Sequence, residues 1–253
     1  MKTFLLTMPL ALVIASSAFA ADAVYETTPE PVATETYASW TGFYAGVQLG
    51  GAFGDSGTFA VTPFTGGLQT AFAPGFSGDF DSGVVGGAHI GYDQQYGSWV
   101  VGGIFDISAT DIGDIQQGRS ITPATYTIGR DLDYLATLRA RLGYTVTDSM
   151  LAYATGGLAY GDVDFSYSQP GSGAVTTTSG GQDSKFGYTV GAGLEAKLTE
   201  QVSFGVEYLY TNLGGNDFRA NLVGGAFGAG TTGFGTNDDF DFHTVQVKLS
   251  YRF

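Results

Sequence analysis

The sequence predicts an all-β fold, an eight-stranded antiparallel up-and-down transmembrane β-barrel. Eight segments alternate apolar and polar residues with the period of a strand that has one apolar and one polar face. The connections between these segments are alternately short and long. Aromatic residues on the apolar faces gather near both ends of the segments, as they do where a barrel wall crosses two membrane interfaces.

Composition favours strands and argues against several classes of protein. Of the 253 residues, 40 are glycine, 14% are aromatic and only 13% are charged, which suits many short strands. A net charge of −14 argues against a nucleic-acid partner. The chain contains no cysteine, which excludes disulfides and thiolate metal sites.

The amino terminus predicts export. A single lysine forms the positive n-region, Phe4–Ile14 is a short apolar core, and Ala18–Ala20 is a small-x-small cleavage site. The apolar run is too short to span a bilayer, so we expect residues 1–20 to be a cleaved signal peptide. Residues 21–39 are expected to be a flexible acidic periplasmic leader, and residues 40–253 the barrel.

Each segment places its apolar residues on one face. The approximate bounds are 41–53, 84–93, 99–108, 132–144, 150–162, 185–198, 202–211 and 241–253. The facing of the fifth segment stays open, although Met150 and Leu158 favour an outward apolar face that would turn Tyr153 and Thr155 inward. Outside the amino-terminal apolar run, no segment has helical periodicity.

The connections predict the orientation of the barrel. Those after the second, fourth and sixth segments are short, at 94–96, 145–149 and 199–201. The other four are long and rich in Gly, Thr, Ser and Asp, at roughly 54–82, 109–130, 163–184 and 212–240. In the outer membrane of a Gram-negative bacterium, this pattern places short turns and both termini in the periplasm and long loops outside. The first and last strands must pair, because an open sheet would leave unpaired edges in lipid.

Threading the strands up and down predicts two belts of interface aromatics. The periplasmic belt contains Phe43, Tyr92, Trp99, Tyr144, Tyr251 and Phe253. The outer belt contains Phe53, Phe105, Tyr134, Tyr160, Phe186, Tyr188 and Tyr210. A soluble barrel has no reason to band its aromatics by height, and a soluble lipid carrier would also need an apolar interior.

The inward faces predict a polar network in the lumen. We expect Glu207 and Lys248 to pair, because they lie at similar heights on adjacent strands. Eight strands enclose little space, so an ionic plug is favoured over a narrow aqueous pore lined by the same groups. The predicted network comprises Gln48, His89, Asp106, Asp133, Arg139, Arg141, Glu195, Lys197, Glu207, Lys248 and Arg252.

Several stretches resemble the small outer-membrane surface-antigen barrels of alphaproteobacteria, often filed as porin-family proteins. They are Trp40–Gly46, Leu138–Tyr144, Tyr153–Gly161, Gly191–Glu195, Glu207–Tyr210 and Val247–Phe253. The resemblance implies an eight-stranded barrel with an envelope-structural or surface-exposed role, and porin-like or haemin-binding activity is suggested for some relatives. It also implies that the assembly machinery of the outer membrane reads Phe253. Gly224–Gly228 matches no motif of the family.

No catalytic, cofactor or metal site is predicted. His243 faces outward at the outer rim, where its own strand offers no partner hydroxyl for an enzyme's base. Tyr126 and Tyr167 are weak candidates for haem ligands. Asp111 with Asp114, and the pair Asp238–Asp239, lack the spacing of a calcium loop, although they could share cations with the phosphates of lipopolysaccharide. The expected partners are outer-membrane lipid, lipopolysaccharide and the assembly machinery.

Overall fold

The structure is a computed structural model that describes residues 39–62, 67–121, 124–169, 174–179, 184–215, 219–223, 232–236 and 239–253. The predicted signal peptide, almost all of the leader and Gly224–Gly228 lie outside these residues. The elements are β1 Gly42–Phe53, β2 Phe59–Thr62, α1 Gly67–Ala71, β3 Phe76–Asp81, β4 Gly83–Tyr96, β5 Trp99–Ser120, β6 Ala124–Thr147, β7 Met150–Ser168, β8 Ala174–Ser179, β9 Ser184–Lys197, β10 Val202–Gly215, β11 Arg219–Val223, β12 Thr232–Thr236 and β13 Asp239–Arg252.

Eight of these strands form a closed antiparallel ring in the order β1, β4, β5, β6, β7, β9, β10 and β13. The last strand closes the ring on the first, with a register that runs from Tyr44 opposite Arg252 to Phe53 opposite His243. Closure pairs the backbone groups of both edge strands, which is the condition for a sheet in hydrocarbon. The eight-stranded antiparallel barrel predicted from the sequence is confirmed.

The two ends of the ring differ. We call the end that carries β1's start, β13's finish and the short turns the turn end, and the opposite end the loop end. The first turn falls at Gly97, whose φ is +60°, rather than at residues 94–96. Residues 94–96 instead continue the ladder opposite Trp99 to Val101, because the left-handed conformation that the turn requires is available to glycine.

The barrel has an apolar outside and a polar inside. On the outer wall, Leu138 is 60% exposed and Leu249 is 48% exposed, whereas Arg139 and Lys248 beside them in sequence are 1% and 7% exposed. β7 follows the same rule, because Met150 and Leu158 are exposed while Tyr153 is buried in the lumen. An apolar outer wall around a charged interior is the arrangement expected of a barrel that is surrounded by lipid.

Both predicted aromatic belts lie on the outer wall. At the turn end the ring centroids of Phe43 and Tyr92 are 4.8 Å apart, and those of Trp99 and Tyr144 are 5.3 Å apart. At the loop end, neighbouring rings follow one another across the strands: Tyr134, Tyr160 and Phe186, then Tyr188, Tyr210, His243 and Phe53. Rings that are both apolar and polar are suited to the boundary between hydrocarbon and headgroups.

The loop end is a folded head, which the sequence did not predict. β5 and β6 continue to residues 120 and 124 as one long hairpin, and β3 pairs with β5. β2, β12, β11 and β8 form a separate four-stranded sheet. Side chains of this sheet, of β6 and of the residue after α1 form a buried cluster that we call the head core: Phe59, Val61, Phe72, Ile128, Ala220, Leu222 and Phe234. Outside the membrane the two faces of a strand no longer alternate between lipid and lumen, so the sequence pattern that marks the barrel strands fades there.

One predicted inward residue faces outward. Asp133 is exposed, because the pairing of β6 with β7 slips between Leu132 and Tyr134, and Leu132 takes the inward position. A β-bulge adds one residue to one strand and inverts the facing on one side of it. The prediction of Asp133 as a lumen residue was therefore wrong.

No helix among the described residues is long and apolar enough to cross a membrane.

Candidate functional site

Arg139 is the centre of the lumen network. Its Nη2 lies 2.7 Å from Asp106 Oδ2, its Nη1 lies 3.0 Å from Glu207 Oε1, and its Nε donates to Thr137 Oγ1 at 3.0 Å. The Thr137 hydroxyl in turn donates to Asp106 at 2.6 Å. One guanidinium therefore joins carboxylates from opposite sides of the bore, which is possible only because an eight-stranded barrel is narrow.

Glu207 receives four partners. Besides Arg139, Gln246 Nε2 donates to Oε1 at 2.8 Å and the Tyr153 hydroxyl donates to Oε2 at 2.9 Å. Lys248 Nζ, whose pairing with Glu207 the sequence predicts, lies 3.6 Å from Oε1. Both oxygens of this buried carboxylate are thus satisfied, which offsets the desolvation of its charge.

Arg141 forms a second centre nearer the turn end. It pairs with Asp93 at 3.1 Å and with Glu195, and its guanidinium carbon lies 3.9 Å from the centroid of the Tyr153 ring and 5.7 Å from that of Tyr44. Stacking on aromatic faces and forked donation are what a guanidinium does better than an ammonium. Arg141 Nε and Asp93 Oδ1 have no hydrogen-bond partner within the described part of the chain.

Trp40 closes the turn end of the bore. The side chain is fully buried against Val100, Leu151 and Tyr153, although Trp40 precedes the first strand. Arg252 donates to the Trp40 carbonyl and pairs with Asp93 at 3.0 Å, so the last strand holds the segment that precedes the first. We call Trp40 the stopper.

Polar groups also anchor the backbone of the stopper. The Trp40 N–H donates to Gln95 Oε1 at 2.8 Å. Lys197 Nζ donates to the Ser39 carbonyl at 2.7 Å and lies 4.8 Å from the Trp40 ring centroid. Lys197, which the sequence predicts as a lumen residue, is half-buried at the mouth of the bore. The amino-terminal approach to the barrel is therefore held by a neutral acceptor, Gln95, and by cationic donors.

A neutral cluster fills the lumen beside β1 and β4. The two ring nitrogens of His89 contact Gln48 Oε1 at 2.7 Å and Ser250 Oγ at 2.9 Å, and Gln48 Nε2 donates to Ser108 at 3.1 Å. Each polar group has a partner at ordinary hydrogen-bond distance. His89 is thus a buried member of the packed interior, and the hydroxyl of Ser250 lies beside its Nε2.

The charges in the bore balance. The ion pairs of the lumen join four cations, Arg139, Arg141, Lys248 and Arg252, to four carboxylates, Asp93, Asp106, Glu195 and Glu207. Four minus four leaves no net charge among these paired groups. Buried charges persist when they are paired and hydrogen-bonded, and a neutral network also lacks the single-sign field that would concentrate one kind of ion.

Between the charged side chains and the loop end, the bore is lined by apolar side chains. An apolar layer of inward side chains follows the ionic network toward the loop end: Ala52, Val85, Ile112, Leu132, Leu135, Ala159, Val163, Leu213, Phe240 and Phe242. Beyond it, Arg130 pairs with Asp114 and lies 4.9 Å from the centroid of the Phe240 ring. Along the bore, the stopper, the ionic network, the apolar layer and a buried ion pair therefore follow one another in that order.

The structure brings most of the predicted lumen residues together. Those buried in the bore are Gln48, His89, Asp106, Arg139, Arg141, Glu195, Glu207, Lys248 and Arg252. The sequence did not identify the stopper, nor Asp93, Tyr44 and Tyr153 as members of the network. Asp93 carried a usable signal, because it shares the inward parity of His89 on the same strand.

The outward histidine has a partner that its own strand could not show. The Tyr208 hydroxyl and His243 Nδ1 are 2.6 Å apart across β10 and β13, and the Phe53 ring stacks on the imidazole at 5.5 Å. His243 thus occupies a place in the loop-end aromatic belt. Among the described residues, no group of three or more His, Asp or Glu side chains has the arrangement of a metal site.

This fold and this polarity agree with the proteins to which the chain is similar. It is 34% identical, over the full length of both chains, to the 31 kDa outer-membrane immunogenic protein of Brucella melitensis. It is 30% identical to the 22 kDa outer membrane protein of Rhizobium leguminosarum, over 85% of this chain and 79% of the relative. The crystal structure of the outer membrane protein OprG from Pseudomonas aeruginosa shares the fold, with a TM-score of 0.54 and 15% identity over 84% of this chain and 96% of that one. The outer membrane protein beta-barrel domain matches residues 8–253, and the chain belongs to this family of Gram-negative outer-membrane barrels.

Proposed function

We propose that this protein is a structural, surface-exposed component of the envelope and that its barrel does not conduct. The observation that carries the proposal is the balanced network in which each buried charge has a counter-ion. An ion crossing the bore would have to break several of these pairs at once. Breaking a buried pair costs about 3–5 kcal/mol, which makes steady permeation slow.

The two ends of the bore support the same conclusion. Trp40 is fully buried at the turn end, and the apolar layer with Phe242 at its centre is equally buried nearer the loop end. A hydrated ion loses its water in an apolar constriction, so each seal adds a barrier of its own. Conduction would require the stopper, the ions and the apolar layer to move together.

The proposal includes an orientation. With the short turns and both termini in the periplasm, the head faces the outside and offers a large folded surface to the surroundings. The Brucella relatives are described as immunogenic, which agrees with a head exposed on the surface. The signal peptide would be cleaved during export. The same orientation puts the acidic leader in the periplasm, presents Phe253 to the assembly machinery and places the outer belt among lipopolysaccharide. We propose no catalytic role for the chain.

Conductance tests the proposal. Protein extracted from outer membranes and inserted into planar bilayers should give no steady current over a range of voltages. Reproducible open-channel currents would contradict it, above all if Arg141→Gln alters them. Leu142→Ala is the matched control, because Leu142 neighbours Arg141 on β6 but points to lipid, and it should leave any current through the bore unchanged.

The described residues of the head do not favour a haemin-binding role. Tyr126 and Tyr167, the tyrosines that could serve as ligands, pack beside the head core, and the Tyr126 ring lies 5.5 Å from that of Phe72. Burial raises the pKa of both phenols, which disfavours the tyrosinate that would bind iron. Titration with haemin should therefore give no saturable spectral change, and a change lost in Tyr126→Phe would contradict this reasoning.

A further inference from the structure

A trough crosses the outer wall over β7 and β9. Its floor is low because alanine takes three of the four central positions in two cross-strand rows, with Leu194 at the fourth, while larger side chains take the flanks. The trough has a volume of about 640 Å³. The two rows are Leu142, Ala154, Ala192 and Tyr208, and Tyr144, Ala152, Leu194 and Val206.

The trough lies in the half of the wall nearer the turn end. Trp99 lines the trough, and the Trp99–Tyr144 pair of the turn-end belt borders it on the side toward the turn end. Four residues beyond Ala154 along β7, Leu158 is 63% exposed and ends the run of small side chains. From Ala152, opposite Tyr144, to Leu158 is about 20 Å along the strand, and at a strand tilt of about 40° this spans about 15 Å of depth, the hydrocarbon thickness of one leaflet.

We propose that this trough holds an acyl chain of a diacyl phospholipid from the leaflet at the turn end. The wall at this depth contacts hydrocarbon, so the occupant must be long, thin and apolar, and it must reach the trough from the headgroup level that Trp99 marks. Side chains in a groove lose dispersion contacts if nothing fills it, which gives a fitted chain an advantage over a mobile one. The inference holds whether or not the lumen conducts.

A second copy of the barrel fits the trough poorly. Barrels related by a two-fold axis through this face would meet with the same concave surface on both sides, because symmetric contacts are self-complementary. Alanine would then face alanine across a gap, and protein interfaces in lipid depend on close packing. A flexible chain can fill the space that a rigid second barrel leaves empty.

Filling the trough provides the test. Ala154→Leu with Ala192→Leu puts two larger apolar side chains on the floor, and Ala88→Leu is the matched control, an exposed alanine on the outer face of β4. After extraction in mild detergent, native mass spectrometry should show a bound phospholipid on the wild-type barrel and on Ala88→Leu. The adduct should be lost from the filled variant. Heat-dependent gel mobility checks that each variant is folded, and Ala154→Leu alone serves if the pair does not fold.

Fluorescence locates the lipid. The chain has two tryptophans, and Trp40 is buried in the lumen while Trp99 lines the trough, so quenching by phosphatidylcholine with brominated chains reports on Trp99. In detergent micelles, added brominated lipid should quench the Trp99 fluorescence of the wild type to saturation. In the filled variant the quenching should rise gradually without saturating. Equal adducts and equal quenching in the filled variant would overturn the proposal. A dimer that disappears on filling would overturn it too, because the occupant would then be a second copy.

Discussion

Replacing Arg139 by methionine should destabilise the barrel through one particular carboxylate. Without Arg139, Glu207 keeps Lys248, Gln246 and the Tyr153 hydroxyl, whereas the hydrogen-bond partner left to Asp106 among the described residues is the Thr137 hydroxyl. Within the described residues, Arg139 is the cation in ion-pair contact with Asp106. An uncompensated buried charge costs about 3–5 kcal/mol, so the free energy of unfolding should fall by that amount.

Double substitutions identify the carboxylate responsible. Asp106→Asn with Arg139→Met removes the uncompensated charge and should recover at least about 2 kcal/mol, a coupling typical of residues in one network. Glu207→Gln with Arg139→Met is the matched control, because it leaves Asp106 uncompensated and takes the counter-ion from Lys248. It should recover nothing.

Equilibrium unfolding by urea in lipid vesicles, followed by tryptophan fluorescence and heat-dependent gel mobility, measures all three variants. If Arg139→Met lowers the free energy of unfolding by less than about 1 kcal/mol, the charges are not buried as described. If both double variants recover equally, the network is not divided between Asp106 and Glu207 in the way that these contacts indicate. Either result would refute the reasoning.

Three other outcomes follow from single contacts. Trp40→Ala removes the stopper and should lower the free energy of unfolding by about 3–5 kcal/mol in the same assay. Gly157→Ala should destabilise by about 1–3 kcal/mol, since its new carbon would lie 2.0 Å from a backbone carbonyl of β6, while Gly156→Ala, with 3.5 Å of space, should not. Burial, with Asp164 opposite and two further carboxylates nearby, raises the pKa of Asp131 in the head. The charge of Asp131 therefore lowers stability at neutral pH, but not below the unfolded-state pKa of about 4. Asp131→Asn should stabilise the head near pH 7 and lose that gain as the pH falls toward 4. An equal effect at pH 7 and pH 4 would contradict this.

The barrel itself could be predicted because its two solvents are opposites. Lipid outside and a packed polar bore inside impose a period of two on each strand, so Leu138 next to Arg139 already indicates which face is which. Of the eleven lumen residues predicted from this period, nine are buried in the bore. It failed at Asp133, where a bulge inverts the parity and no turn or glycine in the sequence marks the slip.

The head could not be predicted in this way. Phe59, Phe72 and Phe234 come from distant connections rich in glycine and threonine, and they become a core only after closure of the ring brings those connections together. Nothing in the local sequence around Phe234 indicates a strand with a buried partner. The long hairpin of β5 and β6 was missed for a related reason, since backbone pairing continues where the apolar alternation has ended.

The sequence by itself determined the number of barrel strands, their order, the polarity of the wall and the two aromatic belts, because each depends on residues that are neighbours along one strand. Apart from the Glu207–Lys248 pair, the tertiary structure alone decided which charges pair, and it alone shows that Trp40 packs inside the turn end and that the loops form a folded head. Those features join residues far apart in the chain, such as Arg252 and Trp40, and a contact across a closed ring leaves no periodic signal in either segment.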